Sequence, residues 1–366
     1  MEALFNKAAE QLQGQLPFVL YRKPKGRRLK GVFQQDDTLN TVGNYQESGF
    51  VFAPFHSAAR AVLLPWEQTL EVSVDYEQMD FGTAAMAAPS PGAAAKHMRL
   101  VRKGMMAIAS GQMDKVVLSR KMEQPLRAGP LTIFKRLLAA HRGAFCYLWY
   151  HPKIGMWLGA TPEILLSTRG SSLTTMSLAG TLPYVEGKRP QWSKKELEEQ
   201  QMVTDYITQT LTPHVAGLKI SDTQTVRAGK LWHLRTQISA KYKKDDLGTI
   251  VRQLHPTPAV CGLPARAAKE FILAHEGYDR NYYTGFLGEL NLKEEVYRDR
   301  GRHNVENLAY RAIKTTSDLY VNLRCMEVRQ DRAHLYVGGG ITAFSDPKKE
   351  WEETVSKTST ILRVLG

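Results

Sequence analysis

Phe145–Gly180, FCYLWYHPKIGMWLGATPEILLSTRGSSLTTMSLAG, decides the fold class. Four runs rich in aromatic, leucine and β-branched side chains, FCYLWYHP, GMWLGA, EILLST and LTTMSLAG, follow one another here. Only Lys-Ile, Thr-Pro and Arg-Gly-Ser-Ser separate them. Such runs read as consecutive strands. Links this short suit antiparallel neighbours, because a parallel crossover needs a dozen residues or more.

The pattern continues outward. Upstream, MEALFNKAAEQLQGQL has helical spacing, and FVLYRK, LKGVF, GFVFAPF and AVLLP read as short strands between Gly, Asn and Asp turns. AAPSPGAAA, Ala87 to Ala95, is small, Pro-containing and uncharged, which marks a linker. It divides a strand-rich N-terminal part, residues 1–90, from residues 91–366. Beyond it come a helix (KHMRLVRKGMMAIASGQ), a strand (DKVVLSRK) and a helix (LTIFKRLLAAH). Downstream, SKKELEEQQMVTDYITQTL is a long helix, ARAAKEFILAHE another, and TGFLGELNL, DLYVNLRCMEV and HLYVGGGITAF are strands. DPKKEWEETVSKTSTILRVL closes the chain as a helix. The expected class is α+β, with large antiparallel sheets packed together and helices outside. No GxGxxG, P-loop or GxSxG stands in its strand-to-helix setting.

With 43% hydrophobic residues in 366, a large core is affordable to the chain. No apolar run nears the roughly 20 residues of a bilayer span, and the N-terminus lacks the layout of a secretory signal. Cys146, Cys261 and Cys325 lie far apart, as buried thiols of a reducing compartment do, so the cytoplasm is expected. The formal charge of +13 raises nucleic-acid binding as a rival class. Its densest cluster is only KPKGRRLK, Lys23 to Lys30, and other basic residues are dispersed, so neither a nucleic acid nor a membrane is an expected partner.

Several residues point to chemistry. In Asp114-Lys115-Val116-Val117-Leu118-Ser119-Arg120, alternation puts apolar residues on both faces, so Lys115 is either a strand-end lysine or a partly buried one. Burial lowers a lysine's pKa and makes it a base. Glu163 follows Gly-Ala-Thr-Pro at the mouth of an apolar strand, where a carboxylate either caps a turn or, with its pKa raised, acts as a general acid. Glu199 extends the apolar stripe Met202, Val203, Tyr206, Ile207 of its helix. In the last helix Asp346 and Pro347 form the start, and Glu350, Glu353 and Lys357 align beside Trp351, Val355, Thr358 and Leu362. These glutamates read either as solvated salt-bridge partners or as two helices offering carboxylates to a hard divalent cation. Leu178-Ala179-Gly180-Thr181 and Gly338-Gly339-Gly340 either let a ligand approach the backbone or form bulges. Arg324 reads as a guanidinium inside an apolar strand, which demands an anionic partner. His255, held between Leu254 and Pro256, either orients a ligand or bonds to a backbone carbonyl.

DKVVLSR, GATPEILL, LAGT, EEQQMVTDYI, LHPTPAVCGLP, FLG, NLRC, YVGGGI and EWEETVSKTSTIL, in this order, resemble the chorismate-utilising enzymes. That family comprises isochorismate, salicylate, anthranilate and aminodeoxychorismate synthases. The resemblance runs from about Lys96 to the C-terminus, making 91–366 the chorismate-binding catalytic region. It implies Lys115 as general base and Glu163 as general acid. It further implies Glu199 and Glu353 as Mg2+ ligands with Glu350 acting through water. Arg324, Lys357, Ala179, Gly180, Thr181 and Gly338 to Gly340 would hold the substrate, and His255 would line the ring pocket. Anthranilate synthases carry glutamine where Lys115 stands, and aminodeoxychorismate synthases carry a nucleophilic lysine where Ala179 stands. This chain therefore resembles the water-using branch, most of all a stand-alone isochorismate synthase, with salicylate synthase as the alternative. Gln200, Gln201 and Cys261 depart mildly from the pattern. The implied product feeds menaquinone and catechol siderophore biosynthesis, and a monomer is favoured.

Overall fold

The computed structural model describes residues 1–56, 59–74, 92–228, 231–297 and 311–366. The N-terminal part contains helix α1 (Glu2–Gln13) and strands β1 (Phe18–Arg22), β2 (Arg28–Phe33), β3 (Gly49–Ala53), β4 (Val62–Pro65) and β5 (Gln68–Ser73). Next come α2 (Ala93–Ala109), β6 (Lys115–Pro125), α3 (Pro130–Ala140), β7 (Phe145–His151), β8 (Gly155–Thr161), β9 (Ile164–Arg169) and β10 (Ser172–Pro183). The middle holds α4 (Lys194–Leu211), β11 (Val215–Ile220), β12 (Gln224–Ala228), β13 (Leu231–Tyr242), α5 (Leu247–Leu254), β14 (Gly262–Leu263) and α6 (Ala265–His275). The chain ends with β15 (Phe286–Tyr297), β16 (Arg311–Val321), β17 (Cys325–Arg329), β18 (Arg332–Ile341) and α7 (Pro347–Leu365).

The strands build two antiparallel sheets, as expected. One runs β14-β6-β18-β17-β8-β7-β1-β2-β5, the other β11-β13-β10-β9-β16-β15-β3-β4, with β12 on β13. Between their inner faces lies an aromatic layer that includes Tyr21, Phe50, Phe52, Phe145, Trp149 and Trp157. Phe52 stacks on Tyr282 with centroids 4.2 Å apart, and Phe145 on Tyr320 at the same distance. Rings buried this completely contribute about 2–3 kcal/mol each through apolar area removed from water. Outside, α1, α3 and α7 cover the first sheet, and α4 and α5 the second. Among the described residues no helix is long and apolar enough to cross a membrane.

Two readings of the sequence change. The four runs of Phe145–Gly180 are strands, but only β7–β8 and β9–β10 pair as neighbours; β8 and β9 lie in different sheets. Pro162 denies the chain a continuing ladder, and the backbone switches sheet there. The linker reading of Ala87 to Ala95 falls partly outside the described residues, and Ala93 already belongs to α2. Residues before it are woven into both sheets: β1, β2 and β5 edge the first, β3 and β4 the second. Lys23, from the basic cluster, binds Glu289 at 2.5 Å and Asp318 at 2.6 Å, so part of that charge is structural.

Candidate functional site

Two sheet-switching corners lie side by side. One is Thr161-Pro162-Glu163 between β8 and β9; the other is Asn322-Leu323-Arg324 between β16 and β17. They are bonded together: Thr161 Oγ1 donates to Val321 O at 2.6 Å, Val321 N to Glu163 O at 3.0 Å, and Ala160 N to Arg324 O at 3.1 Å. Arg324 is therefore not inside a strand. It occupies a turn with φ of 48°, a left-handed conformation rare for a residue with a Cβ, and the surrounding hydrogen bonds hold it there.

Lys115 opens β6 and is fully buried, its Nζ 2.7 Å from Glu199 Oε1 on α4. The strand beneath is clamped from behind. Arg280 Nη2 donates to Val117 O at 2.7 Å, while Glu276 Oε1 accepts from Ser119 N at 2.7 Å and from Ser119 Oγ at 2.8 Å. Beside β6 runs the glycine stretch of β18, Gly338, Gly339 and Gly340 facing Ser119, Leu118 and Val117. The glycines sit in regular ladder positions, and their missing side chains make room. A Cβ on Gly340 would stand 2.5 Å from Glu199 Oε1; one on Gly339 would stand 3.3 Å from Glu350 Oε2 and 3.8 Å from Glu353 Oε1. Three carboxylates from α4 and α7 thus converge on two glycines.

Local sequence explains both helices. Ser193 and Glu196 form a reciprocal capping box that starts α4. Asp346 Oδ1 accepts from Lys349 N at 2.8 Å with Pro347 in the first turn of α7. Glu350 is buried and accepts from Ser345 Oγ at 2.7 Å. Lys357 Nζ binds Glu353 Oε1 at 2.7 Å and Gly338 O at 3.0 Å.

Beside these groups lies a cavity of about 130 Å³. Glu163, Arg324, Glu199, Glu353, Lys357 and His233 face it, together with Ala179, Gly180, Thr181 and Gly338 to Gly340. Burial pushes the Glu163 carboxyl from 4.5 up to about 8, against the opposing pull of Lys115, Arg324 and Lys357. Burial likewise lowers the Arg324 guanidinium to about 10, with Glu163 pulling it back up. The cavity therefore offers a carboxyl that keeps its proton at neutral pH and cationic groups suited to carboxylates, with the buried Lys115 next to its Gly340 wall.

The structure brings most of the residues singled out from sequence to the cavity wall, with three exceptions: Lys115 stands beside Gly340 and Glu350 beside Gly339 without lining the cavity, and His255 lies elsewhere. His255 stands outside the cavity, its Nε2 3.0 Å from Pro54 O and its ring edge-on to Phe286. The backbone-carbonyl alternative holds for it. The imidazole that does face the cavity is His233 on β13, in LWHLRTQ. The alternation that buries Leu231 and His233 and then Leu234, Thr236 and Ile238 shifts by one residue after His233, so no simple period of two marked the imidazole.

An all-oxygen, anionic donor set of Glu199, Glu350 and Glu353 suits a hard divalent cation such as Mg2+. Their convergence on a stretch without side chains fits such a group. In the present arrangement no trio of His, Cys, Asp or Glu among the described residues is close enough to grip a metal. Glu199 and Glu353 are instead each held by a lysine.

The family model for chorismate binding enzymes matches residues 57–296, and a second one of the same description matches residues 309–363. The isochorismate synthase DhbC of Bacillus subtilis is 30% identical over 290 residues, covering 73% of this chain and 66% of that protein. The isochorismate synthase MenF of Escherichia coli is 31% identical over 278 residues, covering 73% of this chain and 59% of that protein. The chain thus spans less than two thirds of these relatives' own length. In three dimensions it is similar to the menaquinone-specific MenF of Escherichia coli, with a TM-score of 0.75, 22% identity, and coverage of 96% of this chain and 89% of the other.

Proposed function

The chain belongs to the family of chorismate-binding enzymes, and we propose that it isomerises chorismate to isochorismate with Mg2+ bound. The observation that carries this reading is Glu163: a buried carboxyl in the cavity that Arg324 and Lys357 line, close enough to Lys115 to feel its charge, with burial holding its pKa near 8. A carboxylic acid that keeps its proton at neutral pH can donate it to a leaving hydroxyl. Lys115, acting as the free amine and not as the ammonium it forms when paired with Glu199, accepts a proton from water as the water adds at C2, the double bonds shift, and the C4 hydroxyl leaves with the proton of Glu163. Arg324 and Lys357 hold the substrate's carboxylates, and the backbone around Gly180 closes the ring site. Glu199 and Glu353, with Glu350 through water, would hold the cation, which supplies charge neutralisation for the ring carboxylate. Ala179 offers no amine for covalent attachment, and Lys115 stands where the resemblance places glutamine in ammonia users; together these favour water as the nucleophile. The names of the relatives, both isochorismate synthases, support the same choice.

The test is incubation with chorismate and Mg2+ followed by chromatographic separation. Isochorismate as sole product is expected. Salicylate plus pyruvate, an aminated product when ammonia is supplied, or no turnover would each replace the proposal.

A further inference from the structure

His233 takes no part in the chemistry above, yet among the described residues it is the only imidazole lining the cavity. Its strand, β13, runs opposite an irregularity in β10, where the ladder register shifts between Ala179 and Leu182 and Gly180 has φ of 67°. A bulge releases backbone groups from the ladder. The released carbonyl of Gly180 meets His233 Nδ1 at 2.9 Å. A carbonyl only accepts, so Nδ1 carries the hydrogen, and Nε2 of a neutral ring then bears the lone pair. That lone pair faces Arg324 Nη2 at 3.3 Å. A guanidinium only donates, so both contacts demand the same tautomer. Protonating the ring would set a second cation against Arg324 in buried surroundings. Burial first, and Arg324 second, push the His233 pKa down to about 3.

We propose that His233 is a positioning residue: fixed as its Nδ1–H tautomer by the bulge carbonyl of Gly180, it aims the Arg324 guanidinium into the substrate cavity. The backbone turn alone sets where Arg324 leaves the chain; its long side chain still needs a partner to fix its direction. His233 supplies one without neutralising the charge that a carboxylate must meet. A carboxylate at this position would bind Arg324 more strongly and compete with substrate.

The kinetic part of this proposal rests on Arg324 holding a substrate carboxylate; the tautomer part does not. Protein labelled with 15N-histidine should show a ring signal, lost in His233→Asn, with Nδ1 protonated and Nε2 bare, unchanged from pH 8 to about pH 5. A hydrogen on Nε2, or titration of that signal in this range, would overturn the proposal. For the kinetic part, Asn reproduces a donor near Nδ1 but no acceptor near Nε2, while Gln places an acceptor near Nε2. His233→Asn and His233→Ala should raise the KM for chorismate about tenfold with kcat little changed, and His233→Gln should restore most of it. A normal KM in a folded His233→Asn protein, or equal losses in all three variants, would reduce His233 to a structural residue. Where the Asn and Ala variants do not fold, His233→Gln assigns the wild-type ring signal, and its tautomer decides. Absence of turnover in the wild-type protein would sink the functional reading, while the ring signal would still judge the tautomer.

Discussion

Lys115 Nζ lies 2.7 Å from Glu199 Oε1, joining the first residue of β6 in one sheet to a helix packed on the other. The two ends differ in exposure: Lys115 is 0% exposed and the Glu199 side chain 14%. Removing the charge of Glu199 strands a fully buried ammonium, whereas removing Lys115 leaves a carboxylate that still touches solvent. Glu199→Gln should therefore cost about 3 kcal/mol of stability in metal-free protein, and Lys115→Gln clearly less. Glu353→Gln, whose partner Lys357 is 24% exposed, should cost under about 1 kcal/mol. Denaturant titration in EDTA measures all three, and equal costs for both glutamates would contradict the buried ion pair.

Magnesium should raise the melting temperature of the wild-type protein, because a ligand bound only by the native state stabilises it by mass action. The gain should vanish in Glu199→Gln and Glu353→Gln, and turnover of chorismate should stop in EDTA and return with added Mg2+. Full activity in excess chelator would remove the metal from the proposal.

What the sequence revealed, and what it hid, divides along physical lines. Capping chemistry and stripe position are local, so the helices presenting Glu199, Glu350 and Glu353 were legible from Asp346, Pro347 and the Val203–Ile207 stripe. Glycines read the same way: Gly338 to Gly340 were read as a close approach or a bulge, and the regular ladder there favours the first, although what approaches them are carboxylates of this chain. Arg324 was misplaced in a strand because Val321-Asn322-Leu323-Arg324-Cys325 has strand composition throughout. Its turn is imposed by partners distant in sequence, Thr161 and Ala160. His255 and His233 exchange places for the same reason. Proline flanks made the first conspicuous, but only the tertiary pairing of β10 with β13 brings the second to the cavity.

Glu163 should leave a mark on stability as well as on rate. Its folded-state pKa, about 8, lies above the ordinary 4.5. Below the lower value both states keep the proton and the contribution is fully present. Between the two values the unfolded chain ionises first, so stability falls as pH rises, by up to about 1.4 kcal/mol per pH unit. Glu163→Gln removes this slope, so its stability relative to wild type should improve steadily from about pH 5 to pH 8. A constant difference would mean that Glu163 is ionised in the folded protein. Turnover of wild type should decline above about pH 8 as the acid loses its proton.

Arg324→Lys keeps a positive charge but not the planar fork that meets a carboxylate with two hydrogen bonds. Its KM for chorismate should rise about tenfold or more, with a smaller effect on kcat. A folded Arg324→Lys protein with normal KM would show that Arg324 serves the corner between β16 and β17 rather than the substrate.

Lys115→Gln tests the chemistry most directly. Glutamine is nearly as long, fits a site where the lysine is fully covered, and matches the residue that the resemblance places in ammonia-using relatives. It can hold a water molecule by hydrogen bonding, yet it has no basic nitrogen to take the proton. Water addition to chorismate should fall by about a hundredfold or more. The reverse reaction must fall equally. With isochorismate as substrate the acid and base exchange tasks, so the same lysine serves both directions. Chorismate binding, measured without turnover, should stay within a few-fold of wild type, because Arg324 and Lys357 remain in place. Glu163→Gln should show the same pattern from the other end of the proton path. Robust isochorismate formation by folded Lys115→Gln would exclude Lys115 as the base. The proton would then have to leave through a group on the cavity wall, and Glu199, 2.7 Å from Lys115 in the present arrangement, would be the next to substitute.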